Sequence, residues 1–176
     1  MEQKYIEDKM HELEKIINYK FNDINLLCEA LKAKKIVDIV FKSKNHKEYS
    51  NDKLALVGDT ILKFVLAEYL YKDKSLKTKE DITNKKSKLE SNKTLHKIFI
   101  GENWRRFAYN DDNFYDESPK ENRVSCKQHN QYIEAIIAAI YYDSSFDNVK
   151  HWILYFLYPL LKKYSDICYN KEKEGK

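Results

Sequence analysis

Glycine and proline are scarce in this sequence, and their scarcity limits the folds that the chain can adopt. Only three of the 176 residues are Gly and two are Pro, against usual shares of about 7% and 5%. β-Sandwiches, barrels and dinucleotide-binding folds need many tight turns and close backbone approaches, which these two residues supply. The sequence therefore predicts an all-α protein. At this length one core is expected to bury about 70% of the surface that the unfolded chain exposes.

Hydrophobic periodicity predicts about seven helices. The strongest pattern covers residues 51–72, where apolar side chains recur at helical spacing. Thr78 followed by Asp81 resembles a capping box, which begins a helix that ends near Leu89. The other predicted helices cover residues 5–19, a segment capped by Asn22 or Asp23, residues 92–100 with Gly101 as the C′ residue, residues 126–142, and residues 146–166 with a kink or break at Pro159.

Several classes of protein are excluded by composition. No apolar run approaches the roughly 20 residues of a transmembrane helix, and the charged N-terminus does not resemble a signal peptide. Cys28, Cys126 and Cys168 are odd in number and scattered, which argues against a disulfide framework or a zinc site. We therefore expect an intracellular location. The net charge of +4 permits an anionic partner without requiring one.

Two predicted helices carry charges that a simple core pattern does not explain. Asp52 and Asp59 lie seven residues apart and so share one helix face. Gly58, beside Asp59, costs a helix about 1 kcal/mol relative to Ala, which indicates a close helix crossing or an approach to the backbone. Glu134 interrupts an apolar stripe, so we expect it to be partly buried and paired. Glu134 either pairs with a lysine or a backbone group, or belongs to a metal or catalytic site.

These segments resemble the ribonuclease III family. Residues 51–62, N-D-K-L-A-L-V-G-D-T-I-L, resemble its signature N-E-R-L-E-F-L-G-D-x-x-L, and residues 134–143, E-A-I-I-A-A-I-Y-Y-D, resemble its later motif E-A-L-I-G-A-I-Y-L-D. Shorter elements follow the family order, so the resemblance covers residues 19–161. It implies the family's all-helical nuclease fold over residues 19–166, with residues 1–18 as a flanking helix and residues 167–176 as a frayed charged tail. No double-stranded RNA-binding domain is expected after it.

The resemblance implies a site with missing ligands. Family members cut double-stranded RNA with two Mg²⁺ ions held by four acidic positions, to which Asp59 and Glu134 correspond here. Ala55 and Gln131 occupy the other two positions, and only Gln131 offers an oxygen, a neutral one. Asp52 replaces a supporting Glu. The implied catalytic residues are thus Asp59, Glu134 and Asp52, and the implied ligands of Mg²⁺ or Mn²⁺, if one still binds, are Asp59, Glu134 and Gln131. We expect lost or strongly impaired nuclease activity.

Two further side chains could compensate for the missing ligands. Lys127 lies four residues before Gln131, where the Dicer and Drosha branches carry a site lysine, and we interpret it as a vestigial or weak catalytic group. Glu90 either supplies a carboxylate from a third helix or is a solvated side chain, which is the commoner state of Glu. Asp143 matches a family position outside the metal site, so we assign it a structural role.

Pairing and RNA binding are also implied by the resemblance. Family domains pair through the signature helix, where Leu56 is predicted to lie in the dimer interface. The residues predicted to bind RNA, unless they form solvated faces, are Lys85, Lys86, Lys88, Arg105 and Arg106.

Three functions remain open at this point. The leading one is a protein that binds structured or double-stranded RNA, pairs with itself or with another RNase III-like protein, and serves in a ribonucleoprotein such as a mitochondrial ribosome. The second is a divergent, active Mg²⁺-dependent endonuclease of the Dicer-like branch. The third is a protein-interaction module that does not bind RNA.

Overall fold

The computed structural model of the chain describes residues 3–32, 51–109, 114 and 129–173. Its helices are α1 (Gln3–Ile17), α2 (Ile24–Leu31), α3 (Asp52–Tyr71), α4 (Lys79–Leu89), α5 (Asn92–Gly101), a 3₁₀ turn (Trp104–Phe107), α6 (His129–Asp143), α7 (Phe146–Trp152), a π turn (Ile153–Leu157) and α8 (Tyr158–Lys173). In these ranges there is no strand, only isolated bridges from Tyr109 to Lys32 and Phe114. The all-α prediction is confirmed.

Local sequence determines where several helices begin. Asp23 accepts a hydrogen bond from the backbone of Asn25 at the start of α2. Thr78 and Asp81 form the predicted capping box of α4, each side chain accepting from the other residue's backbone. These caps satisfy N–H groups that have no partner inside the helix. The predicted starts of α2 and α4 are therefore confirmed.

The prediction that Gly101 is the C′ residue of α5 is wrong. Gly101 is the last residue of the helix, and the left-handed backbone conformation occurs instead at Asn103, with φ of 57°. A Cβ atom at position 101 would lie 2.3 Å from the Tyr164 hydroxyl. The side chain of Tyr164 in α8 thus packs closely against α5 at this position, and a chain-local rule could not reveal that contact.

Helices α3 and α6 cross in the centre of the core. Leu62, Val65 and Leu66 of α3 are fully buried, as is nearly the whole of α6 from Tyr132 to Ile140. At the crossing, a Cβ atom on Gly58 would lie only 1.7 Å from the backbone oxygen of Glu134. The predicted close crossing at Gly58 is confirmed, and it positions the two acidic motifs against each other.

The corner between α1 and α2 is hydrogen-bonded to the end of α6. Asn18 ends α1 with a left-handed φ of 51°. Asp143 then accepts hydrogen bonds from the Tyr19 hydroxyl at 2.8 Å and from the backbone N–H groups of Asn22 and Asp23 at 3.0 and 2.8 Å. Burial is the main reason why the pKa of Tyr19 is raised to about 12. The structural role predicted for Asp143 agrees with these contacts.

The last helical run changes geometry just before Pro159. The backbone N–H of Tyr158 donates to the carbonyl of Ile153, which widens the helix to the π form over Ile153–Leu157. Because proline has no N–H and its ring crowds the preceding turn, such a local rearrangement is expected. Pro159 thus lies next to a change of helix form, as predicted. None of the helices described combines the length and apolar character needed to cross a membrane.

Candidate functional site

The crossing of α3 and α6 positions Asp59 and Glu134. Asp59 follows Gly58 directly, and the backbone of Glu134 is the surface against which Gly58 packs. The two side chains come from segments 75 positions apart in the sequence, yet the charge of Asp59 contributes to the raised pKa of Glu134. The structure therefore brings together the two acidic residues that the motifs predicted.

Glu134 is a buried carboxyl group with a weak set of partners. The residue is 7% exposed, and one of its oxygens accepts a hydrogen bond from Asn130 Nδ2 at 3.3 Å. Burial raises the pKa of Glu134 most, and Asp59 adds to the rise, while Asn130 and Lys63 oppose it. Asn130 Oδ1 is itself buried without a partner. The prediction that Glu134 is buried and paired holds, with an amide as the partner.

Lys63 is a member of this site that sequence reasoning missed. Its Nζ atom lies 2.7 Å from Asp59 Oδ2, one helical turn along α3. The hydrogen bond that Lys63 donates to Asp59 is the main cause of the raised pKa of Lys63, and the charges of Glu90 and Glu134 add to it. The i, i+4 spacing of Asp59 and Lys63 was a readable signal, but the same spacing is common on solvated helix faces.

Glu90 is not the solvated side chain that its residue type suggested. It lies at the end of α4, its side chain is 13% exposed, and Lys86 Nζ lies 2.8 and 2.7 Å from its two oxygens. That prediction is wrong because the close packing of α4 removes the side chain from water. Glu90 thus brings a third carboxylate from a third helix into electrostatic range of Lys63.

The other predicted site residues are placed less favourably for binding a metal ion. Ala55 is buried, Gln131 is half-buried and Asp52 is exposed in the first turn of α3. Lys127 lies outside the described residues. Over the parts of the chain that the structure describes, no group of three or more His, Cys, Asp or Glu side chains is arranged to hold a metal ion.

The predicted RNA-binding lysines of α4 differ in their surroundings. Lys85 Nζ lies 3.0 Å from Asp73 Oδ2, and Lys86 pairs with Glu90 as described above, whereas Lys88 is exposed. Hydrogen bonds from Ser75 and Lys85 lower the pKa of Asp73 to about 2. Lys85 and Lys86 are therefore already paired with carboxylates inside the protein.

The two arginines predicted to bind RNA lie on the 3₁₀ turn. Arg106 Nη2 lies 2.6 Å from Glu12 Oε1 of α1, and its guanidinium lies over the Phe107 ring at 4.7 Å. Arg105 is half-buried. Arg106 thus ties the turn to α1, and an RNA phosphate would have to share it with Glu12.

An apolar stripe remains exposed along α3. Leu56, Phe64 and Tyr71 are 70%, 56% and 78% exposed, and their spacing of eight and seven residues keeps them on one side of the helix. We call these three residues the α3 stripe. The residue predicted for the dimer interface, Leu56, is thus one end of a longer exposed apolar surface.

Comparison with known proteins identifies what this arrangement resembles. The Ribonuclease III domain family matches residues 52–145. Ribonuclease 3 of Clostridium acetobutylicum is 31% identical over 146 residues, which cover 82% of this chain and 60% of that protein. Ribonuclease 3 of Fusobacterium nucleatum is 33% identical over 143 residues, covering 81% and 58%. The chain thus spans about three fifths of the length of these relatives.

A solved structure has a fold similar to that of this chain. The nuclease domain of ribonuclease III from Campylobacter jejuni superposes with a TM-score of 0.67 and 27% sequence identity, and the match covers 86% of this chain and 94% of that one. That structure is described as having structural flexibility in a region involved in dimer formation. Both motif helices of this chain fall within the range that the domain family matches.

Proposed function

The chain belongs to the ribonuclease III family, and from that premise we propose that it pairs through α3 and binds structured or double-stranded RNA, with its nuclease activity lost or strongly impaired. Membership implies a function related to double-stranded RNA. The loss of cleavage is inferred from the residues that occupy the acidic positions of the family.

The observation that carries the proposal is the set of donors at the crossing. Ala55, 4% exposed, has no atom that can bind a cation, and Gln131 has only a neutral oxygen. The carboxylate of Asp59 is engaged by Lys63 at 2.7 Å, and Glu134 accepts from Asn130. Mg²⁺ requires several oxygen ligands in near-octahedral geometry. The residues present therefore do not fit a two-metal centre, and we derive no metal-dependent step from them.

We propose that the protein recognises the shape and the phosphates of RNA and makes no sequence-specific contacts with the bases. Double-stranded RNA presents its phosphates and 2′-hydroxyls across a wide, shallow minor groove, which proteins recognise without sequence readout. Lys88 is exposed on α4, and Lys85, Lys86 and Arg106 would have to loosen their ion pairs with acidic side chains to contact a phosphate. Arg105 completes the proposed set. We therefore expect moderate affinity with a clear dependence on salt.

Pairing is proposed through the α3 stripe. Exposed apolar side chains that share one helix face are typical of protein–protein contact surfaces. The partner is a second copy of this chain or another RNase III-type domain. The proposed assembly in a ribonucleoprotein and the proposed intracellular location follow from the family resemblance and from the scattered cysteines, and both remain predictions.

A combined binding and cleavage assay tests the proposed function. We expect the purified protein to retard a double-stranded RNA of about 30 base pairs in EDTA, and affinity to fall at least tenfold between about 50 and 200 mM salt. With Mg²⁺ or Mn²⁺ added, the RNA should remain intact. A single-stranded RNA of the same sequence is the control.

Two outcomes would replace this proposal by another. Efficient cleavage that Asp59→Asn abolishes would identify an active endonuclease of the Dicer-like branch. Absence of salt-dependent RNA binding by a folded protein would instead favour a protein-interaction module.

The dimer prediction is tested by placing a charge on the α3 stripe. We expect Leu56→Asp to weaken self-association at least tenfold, since a carboxylate would be desolvated within an apolar contact. Sedimentation velocity over a range of concentrations measures the effect. Tyr155→Asp is the matched control, because Tyr155 is similarly exposed at 73% but lies in the π turn and not on α3. Equal weakening by both variants, or by neither, would contradict pairing through α3.

A further inference from the structure

Lys63 lies where three acidic side chains from three different helices exert their charge. Its Nζ atom is hydrogen-bonded to Asp59 Oδ2 at 2.7 Å, and the carboxylates of Glu90 and Glu134 act on it electrostatically. The Lys63 side chain is half exposed, so its ammonium group can keep part of its hydration while facing the buried Glu134. It is positioned as a counter-ion for the remains of the acidic site.

A second ammonium group offsets the charge of Glu90. Lys86 Nζ contacts both oxygens of Glu90 at 2.8 and 2.7 Å, and both partners are less than a quarter exposed. Lys63 therefore pairs with Asp59 and Lys86 with Glu90, and Lys63 also acts electrostatically on Glu134. A divalent cation that entered this cluster would meet two like charges, and it would have to displace a lysine to reach Asp59 or Glu90.

We propose that Lys63 is the resident cation of this cluster, held in place of a divalent metal, and that the folded protein consequently neither binds nor requires Mg²⁺ there. The assignment goes beyond the proposed function because it names what neutralises the remaining acidic residues. It rests on that function only in taking Asp59 and Glu134 as the surviving acidic positions. It also explains how a buried Glu beside an Asp is tolerated without a metal, since an unpaired buried charge is costly.

The test is Mn²⁺ binding by variants of the full chain in the absence of RNA. Free Mn²⁺ is measured by electron paramagnetic resonance, and the melting temperature is recorded in EDTA, in Mg²⁺ and in Mn²⁺. Lys63→Met keeps a long, helix-compatible side chain but removes the charge. Lys72→Met is the matched control, because Lys72 follows the same helix, is also exposed, and pairs with Glu68 at the same i, i+4 spacing.

We expect the wild-type protein and Lys72→Met to show no saturable Mn²⁺ binding and no shift of melting temperature with either metal. Lys63→Met should show saturable Mn²⁺ binding, with a melting temperature raised by about 3 °C at saturating metal. Adding Asp59→Asn to Lys63→Met should remove both effects.

Tight Mn²⁺ binding by the wild type would overturn the inference, and so would the absence of any gain in Lys63→Met. Neither result involves RNA, so failure here is distinguishable from failure of the proposed function, which the binding and cleavage assay tests separately.

Discussion

Replacing Gly58 with Ala is expected to lower the free energy of unfolding by at least about 3 kcal/mol. The added Cβ would lie 1.7 Å from the backbone oxygen of Glu134 and 2.6 Å from its carbonyl carbon. These are backbone atoms of a buried helix, so no side chain can swing aside to make room. Helices α3 and α6 would have to separate and open the centre of the core. Urea denaturation followed by circular dichroism measures the loss.

The direction of the change in stability distinguishes a crowded position from an uncrowded one. In a helix interior without a clash, Ala stabilises by about 1 kcal/mol relative to Gly, so an uncrowded site would give a more stable variant. Gly101→Ala is the control, because its added Cβ would meet the Tyr164 hydroxyl at 2.3 Å and not a backbone. A side chain can shift at lower cost, and we expect less than half the loss. A Gly58→Ala protein as stable as the wild type would refute the close crossing.

Removing the carboxylate of Asp143 is expected to cost about 2 kcal/mol of folding free energy, since hydrogen bonds to charged groups contribute about 1.5–3 kcal/mol. Asp143 is the last residue of α6, where a negative charge is unfavourable for the helix dipole. Its stabilising effect must come from the groups that donate hydrogen bonds to it. They are the backbone N–H groups of Asn22 and Asp23 at 3.0 and 2.8 Å, the Tyr19 hydroxyl at 2.8 Å and Asn22 Nδ2 at 3.3 Å. Asp143→Ala leaves these four donors without this partner.

Two comparisons separate this anchoring role from a general charge effect. Tyr19→Phe removes only the hydroxyl contact, so we expect a loss of about 1 kcal/mol or less in the same urea titration. Asp8→Ala removes an acidic side chain from the exposed face of α1, and we expect a change within about 0.5 kcal/mol. If Asp143→Ala behaved like Asp8→Ala, the corner between α1 and α2 would not depend on Asp143.

Sequence reasoning succeeded where the signal was local or repeated along the chain. The helical periodicity before and after Gly58, the cap at Asp23 and the capping box of Thr78 and Asp81 are all present in the structure. The interior position of Gly58 was enough to predict either a close helix crossing or an approach to the backbone, because glycine is costly in a helix unless something packs against it. These inferences needed only nearest neighbours and propensities.

The reasoning failed where a residue's role depends on a distant part of the chain. Gly101 has the position of a helix terminator, yet it lies inside the helix and packs against the Tyr164 side chain of another helix. Glu90 belongs to a residue type that is usually solvated, yet its side chain is 13% exposed and paired with Lys86. Lys63 has the spacing of an ordinary surface ion pair, and nothing in its own segment indicates that Glu90 and Glu134 also act on it.

The helical class and the positions of the acidic residues can be read from the amino acids, because residue types and helical spacing are properties of the linear chain. That Ala55 and Gln131 stand at acidic positions is what the family resemblance implies. The spatial arrangement of the charges around Asp59 is not a property of the linear chain. It arises only when α3, α4 and α6 pack, because electrostatic energy depends on separation in space and on burial, and neither is encoded by distance along the sequence. Packing is what turns Lys63 from a surface lysine into the cation that faces the remaining acidic residues.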